Sequence, residues 1–277
     1  MTAIDLSGKV CIVTGGTRGL GRAMTLSLAG AGARVVAASH IESDAPKIRA
    51  EAAGLPGRVH AMTADVRRED DCARVISETI AVFDKVDVVI NNAGVGMLLI
   101  SDTYTKAAPK FWEVGPAPWR QIMETNVNGP WLMARAAMPH LLKQGWGRVI
   151  NVTTSILTMQ RKGYSPYGTS KAALEAASAS WAGDVEGTGV TVNILIPGGA
   201  ADTNLLPGEV GDKSRSGADG NLLDPQVMAA PVRWLASAHS DGINGRRFIG
   251  RLWDSSLPFA EAAQKCSAPI GFEGKKD

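Results

Sequence analysis

Short runs rich in β-branched residues recur along this chain, and helical patterns separate them. A run such as residues 86–90, Val-Asp-Val-Val-Ile, is too apolar for a strand with one face in water, so it indicates a buried parallel strand covered by helices on both faces. The alternation predicts an α/β fold, a doubly wound parallel sheet of about seven strands. The predicted strands are residues 10–14, 35–38, 59–63, 86–90, 149–152, 190–196 and 248–249.

One domain is predicted for residues 1–277, because 45% hydrophobic residues can supply a sizeable core and no repeat or Pro-rich linker interrupts the pattern. Two irregular stretches, 95–118 and 198–225, follow strand ends. Ligands of open α/β sheets bind outside the carboxyl ends of strands, so both stretches are predicted to shape a substrate pocket; flexible surface loops are the alternative. Residues 251–277 form a predicted C-terminal extension, a candidate cover for a neighbouring active site.

Charge and cysteine content exclude several classes of partner. The 29 basic and 27 acidic residues leave a net charge of +2 without a basic run, so nucleic acid is not expected as a partner. Cys11, Cys72 and Cys266 are far apart, which predicts neither a disulfide framework nor a metal site and fits a reducing, cytoplasmic setting. No segment approaches the roughly 20 apolar residues of a membrane span, so no membrane partner is expected.

A glycine-rich turn follows the first predicted strand and leads into a helix, in the sequence Thr-Gly-Gly-Thr-Arg-Gly-Leu-Gly of residues 14–21. Glycines allow a tight turn and a close approach of the backbone to a pyrophosphate, while the helix N-terminus offers free N–H groups. The turn therefore predicts a dinucleotide site, although a plain strand-to-helix connection would share the pattern. Its candidate cofactor-binding residues are Gly15, Thr17, Arg18, Gly19, Leu20 and Gly21.

Tyr167 and Lys171 are four residues apart, and Tyr167 is the only one of the three tyrosines with lysine at that spacing. On a helix the two side chains share a face, so the cation is expected to lower the pKa of the phenol and make it a usable proton donor or acceptor near neutrality. Together with the glycine turn, the pair predicts hydride transfer. A surface Tyr/Lys pair is the alternative.

In order along the chain, these motifs resemble the short-chain dehydrogenase/reductase family, from about Leu6 to Phe248. The resemblance implies a single-domain Rossmann oxidoreductase that interconverts an alcohol and a ketone or aldehyde, as a homo-oligomer, tetramer or dimer. Epimerases of the same nucleotide fold and a non-catalytic nucleotide-binding regulator are the competing classes. The motifs are Gly15-x-x-x-Gly19-x-Gly21, Asp65-Val66, Asn91-Asn92-Ala93-Gly94, Asn126, Thr153-Thr154-Ser155, Tyr167-x-x-x-Lys171 and Pro197-Gly198.

The resemblance also implies roles for individual residues. Lys171 would hold the nicotinamide ribose as well as stabilise the phenolate, and Asn126 would hold a water of a proton relay. A core asparagine that distorts its helix is the alternative for Asn126, with Asn128 as a competitor, and Asp65 could instead cap a helix. Further residues are expected around the cofactor: Asp65 and Val66 at the adenine, Asn92, Ala93 and Gly94 behind the fourth strand, and Pro197, Gly198 and Thr203 at the nicotinamide.

A third catalytic group must donate a hydrogen bond to the substrate oxygen as negative charge develops there. The family has serine thirteen residues before the tyrosine, and that position is Thr154 here, followed by Ser155. Thr154 is favoured because the preceding strand fixes its register, but a shift of one residue would bring in Ser155. Both remain candidates.

The end of the second predicted strand decides between cofactors, since an acid there selects NAD and a cation selects the 2′-phosphate of NADP. This chain has Ser39-His40 there, and Arg18 resembles the basic residue of NADP-dependent relatives. NADP(H) is therefore favoured, while Glu42 keeps NAD(H) possible. An uncharged, partly apolar small-molecule substrate is expected from Ile156, Leu157 and the aromatic residues of the long insertion. The aromatic residues could build a pocket wall or an oligomer contact, and they are Tyr104, Phe111, Trp112 and Trp119.

Overall fold

Eight strands form one sheet in the computed structural model, which describes residues 4–212, 215 and 221–271. Their order is β3-β2-β1-β4-β5-β6-β7-β8, and every neighbouring pair is parallel except β7 with β8. The predicted doubly wound α/β fold is confirmed. The strands are β1 Val10–Thr14, β2 Arg34–Ser39, β3 Arg58–Thr63, β4 Val88–Asn91, β5 Gly147–Val152, β6 Val190–Ile196, β7 Arg246–Ile249 and β8 Ser267–Pro269.

The last strand was not among the seven predicted from the sequence. It has the sequence Ser-Ala-Pro, which lacks β-branched residues, and it pairs antiparallel with β7 at the edge of the sheet. The described part of the C-terminal extension thus packs on its own sheet, where the Ile249 N–H donates to the Cys266 carbonyl oxygen at 2.8 Å. Residues 213–214, 216–220 and 272–277 of the predicted insertion and extension lie outside the described residues.

Helices cover both faces of the sheet. α3, α5 and α7 pack on one face and α1, α8 and α9 on the other. Within the described residues, no helix has the length and apolar character needed to cross a membrane. The helices are α1 Gly19–Gly30, α2 Ala45–Glu51, α3 Glu69–Phe83, α4 Pro116–Met123, α5 Gly129–Gln144, α6 Ile156–Met159, α7 Tyr167–Asp184, α8 Ala229–Leu235 and α9 Phe259–Lys265, with a π-helical segment Glu124–Asn128 between α4 and α5.

The two-sided burial explains why the strand sequences are apolar without alternation. In β1, Val10 and Ile12 join the core on one face, whereas Cys11 and Val13 join the core on the other. Each such fully buried Val or Ile side chain contributes about 1.5–3 kcal/mol of hydrophobic stabilisation. The same packing fixes the carboxyl ends of the central strands at one edge.

Strand order reverses at β1, which lies between β2 and β4. The chain moves from β1 towards β3 on one side and, after β3, continues from β4 on the other side. Such a reversal leaves a crevice outside the carboxyl ends of the strands, where ligands of open α/β sheets bind. The glycine turn after β1 lies at this crevice.

Candidate functional site

A cleft of about 580 Å³ opens at the carboxyl ends of the central strands. Its walls include the glycine turn, the ends of β2, β4 and β5, and residues from both irregular stretches predicted to shape a pocket. The contributions of those stretches are 95–99 and 104–105 from the first, and 198–201 and 203–206 from the second. The cleft therefore joins the predicted dinucleotide site to the predicted catalytic residues.

The glycine turn has the tight backbone and the close approach to α1 that its sequence predicts. Gly15 and Gly19 have φ angles of +62° and +52°, in the left-handed region that favours glycine. A Cβ at Gly21 would lie 2.0 Å from the Gly15 carbonyl oxygen, so α1 can pack this closely on the turn only with glycine there. Gly15, Gly19 and Leu20 line the cleft, whereas Gly21 is buried beneath them.

Asn92 ties the segment after β4 to the glycine turn. Its Nδ2 donates to the carbonyl oxygens of Thr14 at 2.9 Å and Gly15 at 3.2 Å. The Thr14 hydroxyl in turn accepts from the backbone N–H groups of Asn92 and Ala93, both at 3.0 Å. A Cβ at Gly94 would lie 3.5 Å from Lys171 Nζ, so this backbone runs directly beside the lysine. These contacts fix the backbone of residues 92–94 along the wall of the cleft.

Arg18 lines the cleft, but its guanidinium is already paired with a carboxylate. Its Nε and Nη2 donate to Asp44 Oδ2 at 2.8 and 2.6 Å, and the Thr17 hydroxyl donates to the same oxygen at 3.3 Å. Thr17 is buried and points away from the cleft towards Asp44. Glu42, the nearby acid expected from the sequence, is exposed. Asp44, which pairs with a residue of the cleft, was not expected because it follows the end of β2 by five positions.

At the predicted adenine end, Ser39, His40, Asp65 and Val66 all line the cleft. The Asp65 carboxylate is bound by the Arg67 guanidinium at 2.5 Å, and this pairing lowers the pKa of Asp65. The alternative of a helix cap does not hold, since α3 begins at Glu69 with Arg68 at its N-cap position.

Thr154 precedes Tyr167 in the sequence and Lys171 follows it, and all three residues line the cleft. Lys171 is only 5% exposed, and its Nζ donates to the Val152 carbonyl oxygen at 2.8 Å. The Thr154 hydroxyl lies close enough to the Tyr167 phenol to influence its pKa. The fold thus brings the three side chains together at the end of β5, where Tyr167 begins α7.

The pKa shifts in this group differ from the sequence-based expectation. Burial raises the pKa of Tyr167 to about 12, and the hydrogen bond with Thr154 opposes this rise. Burial also lowers the pKa of Lys171 to about 8. The expected lowering of the tyrosine pKa by Lys171 is therefore reversed in direction, because the cost of desolvating a phenolate dominates. Tyr167 is protonated at neutral pH in this structure.

Ser155 makes different contacts from Thr154. Its Oγ accepts from the Thr158 backbone N–H at 3.1 Å and lies 2.9 Å from the Thr158 hydroxyl, so Ser155 is the N-cap of α6. Of the two candidate hydroxyls, that of Thr154 lies close to the Tyr167 phenol, whereas that of Ser155 caps the N-terminus of α6.

Asn126 lies in the π-helical segment and is fully buried. Its Oδ1 accepts from the Val95 N–H, while its Nδ2 donates to the Val95 carbonyl oxygen and to the Ser170 hydroxyl, each at 2.9 Å. The amide thus joins the segment after β4 to α7, next to the catalytic pair. Asn128, the competing residue, is exposed. The water-relay role of Asn126 stays a prediction.

Pro197, Gly198 and Thr203 close the cleft opposite β4. Gly198 has a φ of +91°, and a Cβ there would lie 2.6 Å from the Ile249 side chain. A Cβ at Gly19 would lie 3.0 Å from Thr203 Cγ2, so this segment touches the glycine turn. The expected contact of the three residues with the nicotinamide stays a prediction.

The aromatic residues of the first irregular stretch divide into two groups. Tyr104 is 4% exposed, lines the cleft and meets Tyr164 edge to face at 5.8 Å between ring centroids. Phe111 and Trp112 are 68% and 66% exposed, and their rings meet edge to face at 5.0 Å between centroids. The apolar wall near Tyr104 comes from four leucines instead of the expected Ile156 and Leu157, namely Leu98, Leu99, Leu205 and Leu206.

Metal-binding chemistry has no candidate among residues 4–212, 215 and 221–271, where no group of three or more His, Cys, Asp or Glu side chains could hold an ion. Cys11, Cys72 and Cys266 are buried free thiols. Burial raises the pKa of the Cys72 thiol to about 12 and that of Cys266 to about 11. These thiols are therefore poor nucleophiles near neutral pH.

Comparisons with known proteins agree with this geometry. A family model described as short chain dehydrogenase matches residues 9–212. A 3-oxoacyl-(acyl-carrier-protein) reductase of Thermotoga maritima is 28% identical over 246 residues, which are 87% of this chain and 95% of that protein. NADPH-dependent aldehyde reductase 2, chloroplastic, of Arabidopsis thaliana is 32% identical, with 87% and 92% covered. L-fucose dehydrogenase of Bos taurus is 32% identical, with 83% and 84% covered.

Solved structures are similar over the same part of the chain. A dehydrogenase/reductase from Sinorhizobium meliloti 1021 superposes with a TM-score of 0.74 at 31% identity, covering 87% of this chain and 92% of that one. A 3-ketoacyl-(acyl-carrier-protein) reductase from Brucella melitensis, complexed with NADH, superposes with a TM-score of 0.74 at 26% identity, covering 87% and 95%.

Proposed function

We propose, since the chain belongs to the short-chain dehydrogenase family, that it interconverts an alcohol and a ketone or aldehyde by hydride transfer with NADP(H). One observation carries the proposal: Thr154, Tyr167 and Lys171 line the same cleft as the glycine turn. A proton donor and a dinucleotide site in one cleft are the parts that carbonyl reduction requires.

A bound nicotinamide supplies or accepts the hydride. In the direction of reduction, Tyr167 gives its proton to the carbonyl oxygen, and the pKa of about 12 keeps that proton in place at neutral pH. Thr154 stabilises the negative charge that develops on the oxygen. Lys171, whose pKa is about 8, is largely cationic at neutral pH and lies beside the Gly94 backbone, where it would hold the nicotinamide ribose of a bound cofactor.

NADP(H) is favoured as the cofactor because Arg18 lines the cleft and no acid stands at the end of β2. The printed name of the Arabidopsis relative includes NADPH, which supports the same choice. NAD(H) is the alternative, since Asp44 brings a carboxylate to Arg18 and the Brucella neighbour was solved with NADH. Fluorescence titrations with NADPH and NADH test the preference, and tighter NADH binding would reverse it.

Turnover of the Tyr167→Phe variant tests the chemical role. With NADPH and a panel of ketones, aldehydes and 3-oxoacyl thioesters, we expect kcat to fall by about 10²–10⁴, the range for loss of a general acid. Tyr164→Phe is the matched control, because Tyr164 lines the same cleft. NADPH binding should be unchanged in both variants. Undiminished turnover in Tyr167→Phe would refute the role, and NADPH binding without turnover of any carbonyl would favour a nucleotide-binding regulator.

We also propose a homo-oligomer, dimer or tetramer, in a reducing compartment such as the cytoplasm. Trp131 on α5 is 48% exposed, which is unusual for an aromatic side chain on a helix that packs on the sheet. The free cysteines fit a reducing compartment. Light scattering coupled to size-exclusion chromatography measures the assembly directly.

A further inference from the structure

A fully buried ion pair lies beneath the end of β5. Arg247 of β7 and Glu175 of α7 are 3% and 0% exposed at their side chains, and Arg247 Nη1 lies 3.0 Å from Glu175 Oε1. Burying two charges carries a desolvation cost that their attraction often fails to exceed, so such a pair is weak support for stability. A contribution to stability alone therefore does not account for this ion pair.

The two side chains hold consecutive residues of the chain. Thr153 Oγ1 donates to Glu175 Oε2 at 2.9 Å, and Arg247 Nη2 donates to the Thr154 carbonyl oxygen at 2.8 Å. Lys171, one helical turn before Glu175, holds the preceding carbonyl oxygen, that of Val152, at 2.8 Å. Three successive residues at the end of β5 are thus fixed by one face of α7 and by β7.

Arginine suits this arrangement because its planar guanidinium offers several donors in a fixed fork. One nitrogen of Arg247 binds the carboxylate on α7, and the other binds the backbone of Thr154. The position of the Thr154 backbone is thereby fixed relative to α7, the helix that begins with Tyr167. Catalytic groups must be held within roughly 0.5 Å of their productive geometry, so such a link bears directly on the reaction.

We propose that Arg247 and Glu175 are positioning residues that act through Thr154, by holding its hydroxyl in line with Tyr167 for the developing charge on the substrate oxygen. The inference rests on the proposed function, and specifically on the role of Thr154 in it. Neither residue touches the substrate or the cofactor in this assignment. Their effect should therefore disappear when the Thr154 hydroxyl is absent.

A double-mutant cycle tests this dependence. The first arm is Thr154→Val, which removes the hydroxyl at nearly constant volume and is expected to lower kcat by about 10²–10³. The second arm is the neutral pair E175Q/R247M, chosen because replacing both charges avoids leaving one of them buried alone. The Gln side chain can still accept from Thr153. We expect this pair variant to lower kcat by about tenfold, with NADPH binding unchanged.

The triple variant gives the decisive result. If the ion pair acts through Thr154, the triple variant has the kcat of Thr154→Val alone, because no hydroxyl remains to be positioned. If the loss of kcat in the triple variant equals the product of the two separate losses, the proposal is overturned, since the ion pair would then support the fold in general. An unchanged kcat in Thr154→Val would instead refute the proposed role of Thr154, which distinguishes failure of the function from failure of the positioning.

A second buried arginine provides the matched control. Arg148, at the amino end of β5 and 1% exposed, is ion-paired with Asp241 on the side of the sheet away from the cleft. The losses of kcat caused by R148M/D241N and by Thr154→Val should simply multiply when the two changes are combined. If it shows the same non-additivity, the positioning proposal is overturned. R247K, which keeps the charge without the fork, is the second variant should E175Q/R247M fail to fold, and it is expected to show the same dependence on Thr154.

Discussion

Replacing Lys171 with methionine is expected to stabilise the protein at neutral pH while abolishing its activity. Burial lowers the pKa of Lys171 from 10.5 to about 8, a difference that corresponds to about 3 kcal/mol of cost for the buried charge. Methionine removes that cost but also the hydrogen bond to the Val152 carbonyl oxygen, whose net contribution is about 1 kcal/mol. The variant should thus be more stable by about 2 kcal/mol at pH 7.

The pH dependence distinguishes this cause from a general packing effect. Because the folded-state pKa lies below the unfolded-state value, the unfolded chain binds more protons between about pH 8 and 10.5, and the stability of the natural protein rises with pH in that interval. From pH 7 to pH 10 the rise in the free energy of unfolding due to Lys171 is about 2–3 kcal/mol. The stabilisation by Lys171→Met should therefore shrink to near zero at pH 10.

Urea denaturation of both proteins at pH 7, 8.5 and 10 measures the difference. Lys143→Met is the control, because Lys143 is exposed in the last turn of α5 and its replacement should change stability equally at all three pH values. Parallel stability curves for the natural protein and Lys171→Met would refute the reasoning, since they would mean that the ammonium is as well solvated in the folded state as in the unfolded chain.

Two further variants test the roles of individual residues near the cleft. Asp44→Asn should increase the affinity for NADPH about tenfold or less by freeing Arg18, with little change for NADH, as measured by fluorescence titration; weaker NADH binding would instead identify Asp44 as the acid that binds the ribose. Ser155→Ala should lower the free energy of unfolding by about 1 kcal/mol through loss of the α6 cap and leave kcat close to the natural value. A larger loss of kcat in Ser155→Ala than in Thr154→Val would make Ser155 the catalytic donor.

Much of the fold follows from local sequence patterns. β-Branched runs without alternation are compatible only with strands buried on both faces, and the structure has β1 packed into both cores. The turn after β1 requires glycine because of its left-handed φ angles and the close approach of α1, which are properties of adjacent residues. The strand β8 was not predicted because its three-residue sequence has no strand pattern. It is a strand because it pairs with β7.

The catalytic group shows where local patterns stop being sufficient. Spacing placed Tyr167 and Lys171 on one helix face, but the direction of their pKa shifts depends on how deeply the fold buries them. The register of β5 could not decide between the adjacent hydroxyls of Thr154 and Ser155. Packing against α7 places Thr154 close to the Tyr167 phenol, whereas Ser155 caps α6.

The sequence by itself determined the strand pattern, the glycine turn and the i, i+4 spacing of Tyr167 and Lys171 on one helix face, since each depends on residues close together in the chain. Tertiary structure alone decided that Arg18 meets Asp44, 26 residues away, and that Arg247 meets Glu175, 72 residues away. The physical reason is that charges attract or are desolvated according to their distance and burial, and both are set by packing of the sheet and helices.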